Sequence, residues 1–277
     1  MSVQEIQLPQ NHQIVINRFI AACQADERVV AAFLGGSFAR NAADAYSDLD
    51  LYLITTNEAY DTFFAEHEAF IRQLGEPIFL ETYHGGYANF VFFTFPDGVE
   101  GELGLGSESR FTNIHCGPYR VLLDKKGILT KASFPDLQVA QATQIETLHR
   151  HISWFWHDLS HHFITTMARG QLWSAYGALE DMRRTCVNLV RLRENFQAEA
   201  EGYEKVEQAI AIEQLAPLQA TFCPMERAAM LHAILVIVQF YKELAPPLAQ
   251  AHGIPYPYDL AQMMANRLEK LCRTQLD

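Results

Sequence analysis

Cysteine is sparse in this sequence and never paired. Cys23, Cys116, Cys186, Cys223 and Cys272 are odd in number and widely separated, with no Cys-x-x-Cys among them. That spacing argues against a disulfide framework and against a zinc knuckle. Positive charge is also short. Lysine and arginine total 21 against 33 acidic residues, a formal charge of −12. Proteins that work on nucleic-acid backbones normally carry a basic face, because affinity comes largely from neutralising phosphates, so nucleic acid is disfavoured as a partner. An acidic excess instead favours cationic ligands, or metal ions that bring their own phosphates. Long apolar runs are missing: "HAILVIVQFY" (232–241) reaches only about half of the roughly 18–20 residues of a membrane span. The opening "MSVQEIQLPQNHQ" has no charged-then-apolar signal pattern, so a cytoplasmic protein with no membrane attachment is expected. Low-complexity tracts and internal repeats are absent as well.

What is present divides in two. The first half mixes helical and strand-like segments. Residues 12–26 have helical apolar spacing, 29–35 form a short apolar run ending at glycines, and 58–75 again have helical spacing. "DLDLYLI" (48–54) alternates acidic with apolar and predicts a strand with carboxylates on one side. Four further strand-like runs follow at 77–83, 87–95, 98–106 and 119–124, with turns at "HGG", "PDG" and "DKKG". Beyond about Leu137 the chain reads as long helices, at 137–168, 171–197, 203–214, 225–250 (closed by "PP" and "HG") and 258–273. The expected fold class is α/β (α+β), with a first domain over 1–135 and an all-helical bundle domain over 136–277.

The chemistry gathers in "LGGSFARNAADAYSDLDLYL" (34–53). Asp48 and Asp50 stand two apart on a predicted strand, so both side chains leave the same face, about 7 Å apart. Such a pair repels itself unless something compensates, and a divalent cation with hard oxygen ligands is the usual compensation; Mg²⁺ takes one or two carboxylates and fills its shell with water and phosphate. Glu100 and Glu102 of "GVEGELGLG" share a face in the same way. If that strand neighbours 48–54, either can supply a third carboxylate. Ahead of the aspartates, Gly35 and Gly36 follow a buried strand, and Ser37 is placed to cap a short helix. Glycines let backbone N–H groups approach an anion, a helix start offers unpaired donors, and Arg40 can reach a phosphate from the first turn. Each feature alone is commonly an ordinary turn or a surface strand. Their joint occurrence, with ten residues between Ser37 and Asp48, carries the inference of phosphoryl or nucleotidyl transfer.

On these residues the sequence resembles the polymerase-β-like nucleotidyltransferase superfamily, whose signature is a Gly-Gly/Ser turn, about ten residues, then Asp-hydrophobic-Asp-hydrophobic. "QADERVVAAFLGGSFARNAADAYSDLDLYLI" with the later "EGELGLG" more narrowly resembles antibiotic nucleotidyltransferases of the lincosamide and aminoglycoside type. The resemblance implies a small mixed-sheet nucleotidyltransferase domain, ATP or another NTP as co-substrate, and two Mg²⁺ ions. It implies Asp48 and Asp50 as metal ligands, Glu102 as a third ligand or as the general base, and Gly36 and Ser37 as holders of the terminal phosphates. The implied reaction moves a nucleoside monophosphate, AMP from ATP, to a hydroxyl of a small-molecule antibiotic, with a lincosamide favoured and an aminoglycoside next. The alternatives are a protein-adenylylating enzyme of toxin–antitoxin type and a non-catalytic nucleotide-binding relative. One departure is Asn41, which stands where many relatives have glycine after the arginine.

Four other segments carry chemistry-bearing residues. "HRHISWFWHDLSHH" (149–162) holds His157 and His161 at a zinc-compatible spacing of four, but it lacks His-Glu-x-x-His and offers no evident third ligand. It reads instead as packing between domains or as an acceptor pocket wall formed by Trp154, Phe155 and Trp156. Glu180 reads as an i,i+4 partner of Arg184, or as an acceptor contact. Lys125 and Lys126 read as a solvated turn or a triphosphate contact, and Met225–Tyr241 as a helix core or a homodimer face.

Overall fold

A computed structural model describes residues 10–84, 89–136, 138–197 and 202–276. The chain divides into two compact units, Met1–Leu137 and Gln138–Asp277.

In the first unit the elements run α1 (Gln10–Ala25), β1 (Val29–Leu34), α2 (Gly36–Ala39), β2 (Leu49–Thr55), α3 (Tyr60–Ala65), α4 (His67–Leu74), β3 (Phe79–His84), β4 (Asn89–Thr94), β5 (Glu100–Ser107) and β6 (Arg120–Asp124). The six strands form one mixed sheet in the order β3-β4-β5-β2-β1-β6. The β2–β5 pair is parallel, and the other pairs are antiparallel. Strand periodicity assigns the two faces. Leu49, Leu51 and Leu53 of β2, with Leu103 and Leu105 of β5, pack under Val15, Ile16 and Phe19 of α1 and Phe70, Ile71 and Leu74 of α4. The intervening Tyr52 and Ile54 face the other way, into a smaller cluster with Phe33, Ile114, Leu129 and Phe134. The helices bury one face of the sheet, and Asp50 and Glu102 lie on the other, partly exposed. The expected single helix over 58–75 is two short ones, interrupted at Glu66, whose backbone leaves the helical region (φ −106°, ψ 9°). The two glycines of the expected "HGG" turn and the start of the following strand fall at 85–88, outside the described residues, as does the N-terminal stretch 1–9.

The second unit is helical: α5 (Gln141–Asp158), a π-helical segment Leu159–Ile164, α6 (Thr165–Ala168), α7 (Leu172–Glu194), α8 (Val206–Ala209), α9 (Ala216–Gln219), α10 (Arg227–Ala251) and α11 (Tyr258–Leu276). The helix predicted over 203–214 is reduced to α8 and a 3-10 turn at Ile212–Leu215. Lys205 enters it in the left-handed region (φ 47°), and Ile210 leaves it extended. The Pro246-Pro247 pair does not close α10, which continues to Ala251. The two prolines forgo hydrogen bonds to the preceding turn, but their fixed φ is helical, and Leu244, Ala245, Leu248 and Ala249 are buried around them. α10 is long and apolar enough to cross a membrane by length and composition, and half of that window is buried inside the unit. Its Met230, Leu231, Ile234, Ile237 and Tyr241 belong to the helical core. Phe155 stacks on Tyr241, and the buried Trp156 donates its indole N–H to the Tyr256 hydroxyl at 3.2 Å. Trp154 is exposed, with its ring edge against His157.

Candidate active site

The parallel pairing of β2 with β5 sets Asp50 directly beside Glu102. Both lie on the face not covered by α1 and α4, and Asp48 sits just before β2 on the same side by strand periodicity. Asp50 and Glu102 therefore sit side by side at the starting ends of two neighbouring strands, with the Asp48 charge near enough to act on Glu102. Glu102 feels this most. Burial, then the charges of Asp50 and Asp48, push its carboxyl up to about 7, while a hydrogen bond from the Tyr52 hydroxyl works in the opposite direction. Glu100 is exposed and outside that register.

The turn between β1 and β2 closes on the same place. The Gly35 amide donates to the Asp50 carbonyl at 2.9 Å, tying the turn to β2. Gly36 adopts φ +53°, and a Cβ there would lie 1.6 Å from Asp50 Oδ2. Only glycine satisfies both the left-handed backbone and this approach to the carboxylate. At Gly35 a Cβ would meet the His115 and Tyr52 rings at 2.8 Å. Ser37 is not the N-cap. Gly35 holds that position with the extended backbone a cap needs, and Ser37 falls inside α2. Its hydroxyl is buried with no hydrogen-bond partner among the described residues. An unsatisfied buried hydroxyl costs about 1–3 kcal/mol unless a ligand completes it. Arg40 is exposed at the end of α2, and its charge acts on His115.

Asn41 has φ +54°. Asparagine is among the few non-glycine residues that tolerate the left-handed region, which explains how it serves at this position. Arg120 of β6 donates to its side-chain oxygen and to the Phe38 carbonyl, holding the exit of the turn.

Sequence reasoning missed two aromatic residues here. Tyr52 stacks on Phe33 with ring centroids 4.7 Å apart and packs against His115. Burial and the charges of Glu102 and Asp50 hold its phenol protonated. Burial, aided by the Arg40 charge, keeps the His115 imidazole below its ordinary pKa, so the ring is neutral at pH 7; its Nε2 bonds to the Pro118 carbonyl at 3.0 Å. Extending the period-two pattern would have found Tyr52, two residues beyond Asp50. It would also have found Gly104, two beyond Glu102, where a Cβ would strike the Tyr52 ring at 2.7 Å. No local signal marks His115.

Other candidate residues are held in contacts within their own units. Lys125 donates to the carbonyls of Cys23 and Asp26, and Lys126 pairs with Glu108. Glu180 pairs with Arg183 as well as Arg184. Arg183 is fully buried, and its Nε donates to Thr221 Oγ1 at 2.7 Å.

The profile of the streptomycin adenylyltransferase family matches residues 10–271. No curated protein sequence matches the chain. Among solved structures, an aminoglycoside 6-adenyltransferase from Bacillus subtilis aligns over 95% of this chain and 99% of its own, at 15% identity and a TM-score of 0.45. A cytoplasmic RNA terminal U-transferase aligns over 86% of this chain and 68% of its own, at 12% identity and a TM-score of 0.28.

Proposed function

The chain belongs to the streptomycin adenylyltransferase family, and from that premise we propose that it transfers the AMP moiety of ATP to a hydroxyl of an aminoglycoside. The observation that carries the reading is the register placing Glu102 beside Asp50, with Gly36 pressed against the Asp50 carboxylate. An aminoglycoside is polycationic, which suits a protein of net charge −12. A lincosamide, favoured by the sequence resemblance, becomes the second acceptor because the family is described by streptomycin.

The residues present fit Mg²⁺, since Asp48, Asp50 and Glu102 carry hard oxygen donors beside a glycine cradle and a buried hydroxyl with no hydrogen-bond partner among the described residues. Asp48 and Asp50 would hold it, and when bound it neutralises triphosphate charge and polarises the phosphate under attack. The first amides of α2, which helix geometry leaves without intrahelical acceptors, together with Ser37, bind the terminal phosphates. Arg40 adds positive charge at the end of the same turn. Of the two roles open to Glu102, its half-buried place beside Asp50 favours the base, taking the proton from the acceptor hydroxyl as that oxygen bonds to the α-phosphorus of ATP and the bond to the departing pyrophosphate breaks. The Tyr52 hydroxyl orients that carboxylate. The helical unit is proposed to bind the acceptor.

Incubation with Mg²⁺, ATP labelled in its α-phosphate, and a panel of aminoglycosides and lincosamides tests the reading. Label is expected on an aminoglycoside. Glu102→Gln should lower transfer by about 10²–10⁴-fold while keeping Mg²⁺-dependent ATP binding, and Asp50→Asn should lose both. Absence of labelled antibiotic, or label appearing on protein, would overturn the proposed acceptor.

A further inference from the structure

The histidine-rich end of α5 carries a second cluster, unrelated to the carboxylate site. Sequence spacing suggested His157 and His161 with no third ligand. The structure supplies a different set, because the helix changes form here. Leu159–Ile164 is π-helical, and Thr165 Oγ1 donates to the Ser160 carbonyl five residues back, at 2.9 Å. In an α-helix, residues five apart lie on different faces. The wider π turn brings them round, so His162 returns to the side of His157. Asp158 sits between them: its Oδ1 is 3.4 Å from His157 Nδ1 and 3.7 Å from His162 Nε2. One ligand atom from each of the three lies within 4.8 Å of the others. The His161 ring flanks both histidines, with centroids 5.5 Å from His157 and 4.9 Å from His162.

These distances match a coordination polyhedron. Donors about 2.0–2.2 Å from a tetrahedral ion lie about 3.3–3.6 Å from one another. Two of the three edges are already near that length, and the exposed imidazoles can rotate to close the third. The donor chemistry also selects the ion. Two imidazoles and one carboxylate suit Zn²⁺, Co²⁺, Ni²⁺ or Cu²⁺, whereas Mg²⁺ takes oxygen ligands. π turns are rare, and they occur often at functional sites.

We propose that His157, Asp158 and His162 form a binding site for a divalent transition-metal ion, with His161 as an available fourth donor. The bound ion ties the last turn of α5 to the π segment. The site rests on none of the residues assigned to nucleotidyl transfer, so the two readings stand or fall separately.

The test uses the full chain without a histidine tag, stripped of metal with a chelator. It is titrated with Zn²⁺ by calorimetry and with Co²⁺ by visible absorption, in millimolar Mg²⁺. One equivalent should bind, and Co²⁺ should give the intense bands of a low-symmetry, four-coordinate site. His157→Ala and His162→Ala should each weaken binding at least about tenfold, with circular dichroism unchanged because both side chains are exposed. His232→Ala, at an exposed position of α10, serves as the control and should have no effect. Failure of the unaltered protein to bind with saturation overturns the proposal. So does binding that is insensitive to replacing both His157 and His162.

Discussion

Glu102 owes its proton affinity to where β5 lies. Burial and the charges of Asp50 and Asp48 raise its carboxyl from the ordinary range near 4.5 to about 7. A group whose pKa is higher folded than unfolded stabilises the fold while protonated, and that contribution is lost as pH rises through the folded value. Without divalent cation, thermal stability should therefore fall between about pH 5 and pH 7.5 by more than in Glu102→Gln, which has no such titration. A cation among the carboxylates reverses the electrostatics, so adding Mg²⁺ should flatten the decline. Melting curves across that pH window, with chelator and with Mg²⁺, provide the measurement. Equal slopes for the two proteins in chelator would count against this account of Glu102.

At the scale of elements, the decisive piece is the four-residue α2 and the turn that begins it. Gly36 is forced by its positive φ and by the Asp50 carboxylate lying where a side chain would begin. Gly36→Ala should destabilise the protein by at least about 1 kcal/mol from the left-handed backbone alone. It should also cost about 10²-fold in kcat, because Asp50 must move to admit the methyl group. Chemical denaturation and steady-state transfer kinetics measure the two effects. Asn41→Gly, at the other left-handed position of the turn, should leave the fold and most of the activity intact. In the helical unit, Arg183 acts as a comparable anchor. It is buried against Thr221, with Glu180 as counter-ion and the Phe222 ring 4.1 Å from its guanidinium carbon. A charge placed there is tolerated only because its donors are engaged.

For the whole molecule, each compact unit has its own hydrophobic core. The sheet and its helices form one and α5, α7, α10 and α11 the other. Hydrogen exchange with and without Mg²⁺ and ATP should place the gain in protection at residues 35–55 and 100–107 of the first unit. Protection gained only in the helical unit would contradict the nucleotide site. The alternation of type in the first half, followed by helical spacing beyond about Leu137, was legible because the apolar period changes from mixed to helical there. Breaks within elements were not. The interruption at Glu66, the shrinkage of the 203–214 helix and the run of α10 through two prolines depend on what packs around each backbone.

The sequence by itself determined the local chemistry: a strand with paired aspartates, a glycine turn ahead of it, and a second strand with glutamates on one face. Those features follow from side-chain period and backbone allowance, which neighbouring residues fix. Tertiary structure decided which glutamate lies beside Asp50, because the parallel register of β5 on β2 puts Glu102 rather than Glu100 there. It moved Ser37 from cap to first turn and brought Tyr52 and His115 to the site. It also brought His162 round to Asp158 and the adjoining His157. Pairing between distant strands and a change of helical form both depend on the packing of distant residues, and no local pattern encodes them.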